Sequence, residues 1–131
     1  MTSVPSSVRF DPEVLRRLNE YITAHPGTSL SATTNQLVDE ALRCEEHPLV
    51  VFRDGPGGRR ARLIPGPDVW EVIRAVRSVR AASPRLKPDA VVELVSETTG
   101  APTTLVRAAV AYWAAYPAEI DAMIERCDRE Q

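Results

Sequence analysis

Residues 4–24 join a short alternating segment directly to an amphipathic helix, and that junction limits the fold more than any other stretch of the chain. Val4, Ser6, Val8 and Phe10 fall on one side, with Pro5, Ser7 and Arg9 on the other, the period-two pattern of a half-buried strand. Asp11 stands where a helix N-cap is wanted, and Pro12 occupies the first helical position. Val14, Leu15, Leu18, Tyr21 and Ile22 then recur at three- and four-residue steps. They give the helix one apolar side, while Arg16, Arg17, Asn19 and Glu20 face mainly elsewhere. His25, Pro26 and Gly27 end it in a turn. A second helix is predicted from Ser31, an N-cap candidate, to about Arg43–Glu46, with Leu37, Val38, Ala41 and Leu42 as its apolar stripe.

A strand of about five residues is unstable alone, and a strand and two helices in ~40 residues are too little to close a core. The expected partner is a second copy, sharing a core of Val8, Phe10, Leu15, Leu18, Leu37, Val38 and Ala41. Val4 to Arg43, through VRFDPEVLRRL and SLSATTNQLVDEALR, resembles the ribbon-helix-helix family of CopG, MetJ and Arc type. The resemblance implies an obligate dimer whose strands pair into an antiparallel ribbon that enters the DNA major groove. Ser7 and Arg9 match the positions that read bases. An arginine there can grip the O6 and N7 edge of guanine, worth about 1–3 kcal/mol of discrimination. Pro5 lacks the N–H a ladder needs and shortens the ribbon. Ser31, Ala32 and Thr33 open the second helix, where free backbone N–H groups and the positive end of the helix dipole suit a phosphate.

A net charge of −2 over 131 residues looks wrong for a nucleic-acid binder, but the average conceals a division. Residues 1–52 carry four basic groups against seven acidic, residues 53–87 nine against three, and residues 88–131 three against eight. A basic middle between acidic ends suits a protein offering one face to an anion and another to a basic partner. Arg59, Arg60, Arg62, Arg74, Arg77 and Arg80 are candidates for phosphate contacts, which need charge and carry no sequence information. Nearby carboxylates such as Asp68 and Glu71 compete for them.

The helical pattern breaks at His47 and Pro48. Leu49–Phe52, the turn-forming Asp54–Gly58 and the returning Arg59–Ile64 predict a β-hairpin. Asp68 is placed to cap a helix lined by Val69, Val72, Ile73, Val76 and Val79. A linker at 81–88 precedes a helix from about Val91 to Gly100, and Thr103 or Thr104 starts another. That next helix is apolar on more than one side and reads as the buried centre of this half. Pro117 opens the last helix. The tail VRAAVAYWAAYPAEIDAMI resembles a small helical antitoxin domain found beside PIN-type nucleases, which implies a toxin-binding or regulatory role. The glycine, threonine, arginine and isoleucine motif of that family is replaced here by the stretch from Gly58 to Trp70.

Catalysis has little support. The chain has no nucleophile elbow, phosphate loop, HExxH or CxxC pair, and Glu119, Asp121 and Glu125 read as an acidic face. Cys44 and His47 are two ligands where structural zinc takes four, so neither a metal nor another cofactor is expected. Two cysteines so far apart suggest reduced thiols. No apolar run approaches ~20 residues, and no basic region leads into an apolar one at the N-terminus, which favours a cytoplasmic protein away from the membrane.

The fold expected is mainly α: a ribbon-helix-helix domain over residues 1–46, then a β-hairpin and a three- to four-helix unit over 47–131 that regulates or binds a partner. The function expected is a homodimeric, sequence-specific repressor on double-stranded operator DNA, as a dimer of dimers on a palindromic site. Its sharper form is the antitoxin of a PIN-type nuclease. The alternative is a dimeric protein-interaction module without DNA-binding activity.

Overall fold

The computed structural model describes residues 3–130 and is mainly helical, with six helices among the described residues accounting for 64% of them. It divides into two compact units, residues up to 41 and residues from 42 onward.

The first unit departs from expectation at its start. Residues 3–11 form no strand, and the sheet among the described residues is a two-stranded hairpin that follows the second helix. A strand exists only through the ladder it shares, and this single chain gives the opening segment nothing to pair with. The strand-helix-helix opening is therefore corrected to an irregular segment followed by two helices. The first, α1 (Pro12–Ala24), begins where Asp11 holds an extended conformation and Pro12 supplies a helical φ. Its apolar stripe is shallow, with Leu18 its buried residue. The second, α2 (Leu30–Glu46), starts one residue ahead of the expected cap. The Ser29 hydroxyl accepts the Ala32 N–H at 3.0 Å, so Ser29 performs the capping expected of Ser31, which lies inside the first turn.

The second unit opens with the last turn of α2 and then the hairpin, β1 (Val50–Gly55) and β2 (Gly58–Leu63). The strands run antiparallel from Val50 opposite Leu63 to Gly55 opposite Gly58. Pro56 and Gly57 make the two-residue turn, and Gly58 holds a φ of 102° that a side chain would resist. Val50, Phe52, Ala61 and Leu63 alternate onto the buried face of the hairpin.

Four helices complete this unit: α3 (Val69–Ala82), α4 (Pro88–Thr99), α5 (Thr103–Ala115) and α6 (Pro117–Arg129). Glu71 reaches back to accept the Asp68 backbone N–H at 3.2 Å and fixes the start of α3. Gly100, at a φ of 79°, ends α4 in a left-handed turn. The centre of the unit is α3, which touches β2, α4, α5 and α6 and buries Val69, Trp70, Val72, Ile73 and Val76. Although α5 was expected there, it leaves Thr104, Arg107, Ala111 and Ala115 exposed along one side. Its small alanines are apolar without needing burial, so hydropathy alone overstates its depth.

Candidate functional site

In the first unit, Ser7 and Arg9 are exposed, and Arg9 forms no ion pair among the described residues. Beside them a shallow open groove is lined by Val4, Pro5, Val8, Phe10, Leu30 and Val38. Its apolar groups are largely in solvent, with Val4 84%, Val8 70% and Val38 52% exposed. Of the expected shared core, Leu18 is buried, Phe10, Leu15 and Leu37 are half-buried, and Val8, Val38 and Ala41 are exposed. At the start of α2, Ser31 and Ala32 are exposed. Thr33 is fully buried, its hydroxyl 2.9 Å from that of Thr28, so its side chain cannot reach a phosphate.

The basic segment behaves differently from its net charge. Arg59 faces Asp54 across the hairpin at 3.6 Å. Arg60 donates to Asp68 at 2.9 Å, both side chains are mostly buried, and Trp70 Nε1 donates to the same carboxylate oxygen at 3.1 Å. The Arg60 guanidinium lies over Gly55 so closely that a Cβ there would collide with it. Arg62 is exposed and its guanidinium covers Gly66 in the same way. On α3, Arg74 meets Asp128 at 3.3 Å and lies over the Trp70 ring, Arg77 meets Asp121 at 3.6 Å, and Arg80 sits 5.9 Å from the centroid of Trp113. Among the six candidate arginines, Arg59, Arg60, Arg74 and Arg77 are therefore already matched to carboxylates. Asp121 and Asp128 of α6 serve as counter-ions to Arg77 and Arg74 of α3.

One polar constellation escaped the reading of the sequence. Arg43, in the last turn of α2, donates to Glu119 at 2.7 Å and to the Tyr112 hydroxyl at 2.9 Å, while that hydroxyl donates to Glu119 at 2.6 Å. The guanidinium stacks 3.9 Å from the Tyr116 ring centroid, and His47 packs edge-on against Tyr112. Burial alone would lower the Arg43 pKa, but its hydrogen bonds to Glu119 and Tyr112 outweigh this and raise it. Burial, then the hydrogen bond to Glu119, pushes the Tyr112 hydroxyl above its ordinary value. The available signal was Tyr112 itself: a tyrosine within a buried apolar stripe must bring its hydroxyl to a partner. That the partner comes from 69 residues away is invisible to local pattern.

Cys44 and Cys127 are partly buried and packed against the core, and neither is in a disulfide. Among the described residues no group of three His, Cys, Asp or Glu side chains could hold a metal ion, and no helix is long and apolar enough to cross a membrane. Comparison with protein-family models, with curated proteins and with solved structures finds no match to this chain.

Proposed function

We propose that the protein is a homodimeric, cytoplasmic DNA-binding regulator, a repressor that recognises an operator through its first unit. The observation carrying this reading is the exposed apolar group of Val4, Val8 and Val38 beside Arg9. Exposed valines of this kind, in a unit with so small a core of its own, call for a covering surface. A second copy of the same unit supplies one with two-fold symmetry. Two-fold symmetry would bring two copies of Arg9, with Ser7, to a palindromic site, and Ser31, in the first turn of α2, would offer its backbone N–H to a phosphate, the Ala32 N–H being taken by the Ser29 cap. The likeness of Val4 to Arg43 to ribbon-helix-helix regulators supports the same function through α1 and α2. In its sharper form the regulator is an antitoxin whose second unit holds a PIN-type nuclease encoded beside it.

The test is binding to duplexes taken from the DNA upstream of the reading frame. The intact chain should prefer particular sequences, and Arg9→Ala should lose that preference while light scattering still reports a dimer. Equal affinity for all duplexes would overturn the reading. Co-purification at native expression with the product of the adjacent frame tests the antitoxin form, and its absence removes that form.

A second reading, a protein-interaction module, is favoured by the pairing of Arg59, Arg60, Arg74 and Arg77 with carboxylates. It requires that Arg9→Ala have no effect on any DNA binding.

A further inference from the structure

Beyond those pairs, the basic segment leaves Arg53 and Arg62 exposed on the hairpin and a group of three cations set around one turn. Arg80, Arg85 and Lys87 are all exposed, and none forms an ion pair with a carboxylate among the described residues. They lie at the end of α3 and in the connection to α4. The connection is a defined turn: the Ser83 N–H closes α3 on the Val79 carbonyl at 2.9 Å, and the Leu86 N–H returns to the Ser83 carbonyl at 3.2 Å. Arg85 and Lys87 are two residues apart, so their Cα atoms are at most roughly 7 Å from each other. Asp89, the nearest carboxylate along the chain, is turned away to Arg107 at 3.1 Å.

Lys87 also stands where local rules would not put it. It is the residue immediately before α4, in extended conformation, and makes no side-chain cap hydrogen bond. Serine, threonine, aspartate or asparagine would stabilise that position, whereas a cation opposes the helix dipole. A local rule broken without a compensating contact marks a residue kept for another reason. The nearby surface is a shallow hollow of Ser83, Pro84, Arg85 and Leu86. It offers cationic groups and little shape, which suits an extended anion more than a small molecule fitted on all sides.

We propose that the Arg80–Lys87 turn is the phosphate-gripping surface of the second unit, and that it contacts the backbone of duplex DNA through Arg85 and Lys87, with Arg80 beside them. The proposal rests on the DNA-binding function proposed above. It moves the phosphate contacts of the basic segment from the carboxylate-paired arginines of α3 and the hairpin to this turn.

The experiment measures affinity of the full chain for a duplex against salt concentration, by fluorescence anisotropy, for the intact protein, for R85A/K87A and for R74A/R77A. Each phosphate neutralised contributes about 0.9 to the slope of log affinity against log salt. The R85A/K87A chain should lose about 2 from the slope per bound chain. The advantage of the intact protein over it should therefore shrink roughly 12-fold per bound chain, or about 150-fold for a bound dimer, between 50 and 200 mM salt. R74A/R77A should leave the slope unchanged. Arg85 and Lys87 touch no core residue through a hydrogen bond or ion pair, so an unchanged circular dichroism spectrum is expected alongside. An intact chain that binds DNA with the same slope as R85A/K87A overturns this proposal and leaves the proposed function standing. A chain that binds no duplex at 50 mM salt overturns both, and binding to anionic lipid vesicles in place of duplex does the same.

Discussion

Replacing Arg43 by methionine tests whether the constellation at the end of α2 stabilises the second unit. The substitution keeps most of the aliphatic stem and removes the charged head. Three contacts go with it: the 2.7 Å bond to Glu119, the 2.9 Å bond to the Tyr112 hydroxyl and the stack on Tyr116. The Arg43 side chain is 18% exposed but Glu119 is 39% exposed, so the ion pair is partly screened and is worth about 1 kcal/mol, below the usual range for a charged hydrogen bond. The Tyr112 oxygen keeps its bond to Glu119 but loses a donor, about 0.5–1.5 kcal/mol. The stack adds about 0.5–1 kcal/mol, part of which the methionine recovers. The sum is about 2–3 kcal/mol of destabilisation. Both tryptophans, Trp70 and Trp113, lie in this unit, so their fluorescence in urea reports its unfolding alone. With an m-value near the low end of the usual range, the midpoint should fall by about 1–2 M with the slope unchanged. A cycle with Glu119→Gln should return a coupling of about 1 kcal/mol. A midpoint shift below about 0.3 M, or effects that add within the usual tolerance, would refute the reasoning.

Gly55→Ala puts a Cβ about 2.5 Å from the Arg60 guanidinium, which Asp68 holds in place. It should cost about 1–2 kcal/mol in the same urea assay, and the cost should disappear in an Arg60→Ala background if the collision is its cause. The raised pKa of the Tyr112 hydroxyl predicts a stability term fully present below the unfolded tyrosine value of about 10 and lost as pH climbs toward the higher folded value. Unfolding curves taken from pH 8 to 11 should therefore show falling stability above pH 10, less steeply in Tyr112→Phe, and equal steepness in the two chains would contradict the assignment.

The elements that sequence made legible are those whose causes are local. Asp68 and Glu71 start α3, Gly100 stops α4, Pro117 opens α6, and alternation with a Pro-Gly turn makes the hairpin. The opening strand failed for the complementary reason: residues 4–10 alternate correctly, but a ladder needs a partner that the single chain lacks. Capping at α2 was misplaced by two residues because Ser29 and Ser31 are both acceptable caps, and only the hydrogen bond to Ala32 separates them. The candidate site was least legible where charge is concerned. Arg74 finds Asp128 54 residues away and Arg43 finds Glu119 76 residues away. A count of charges along the chain records each partner and misses the pairing.

The pairing of α3 with α6 has a practical consequence for anyone dissecting the protein. Ile120, Met123 and Ile124 anchor α6 in the core, and the same helix carries Asp121 and Asp128 to Arg77 and Arg74. A fragment ending before Pro117 would lose both at once, baring apolar surface and uncancelled arginines together. Such a fragment should adhere to nucleic acids, acidic proteins and resins alike. Its binding partners would report the missing counter-ions of the cut, and only full-length protein can identify those of the intact molecule.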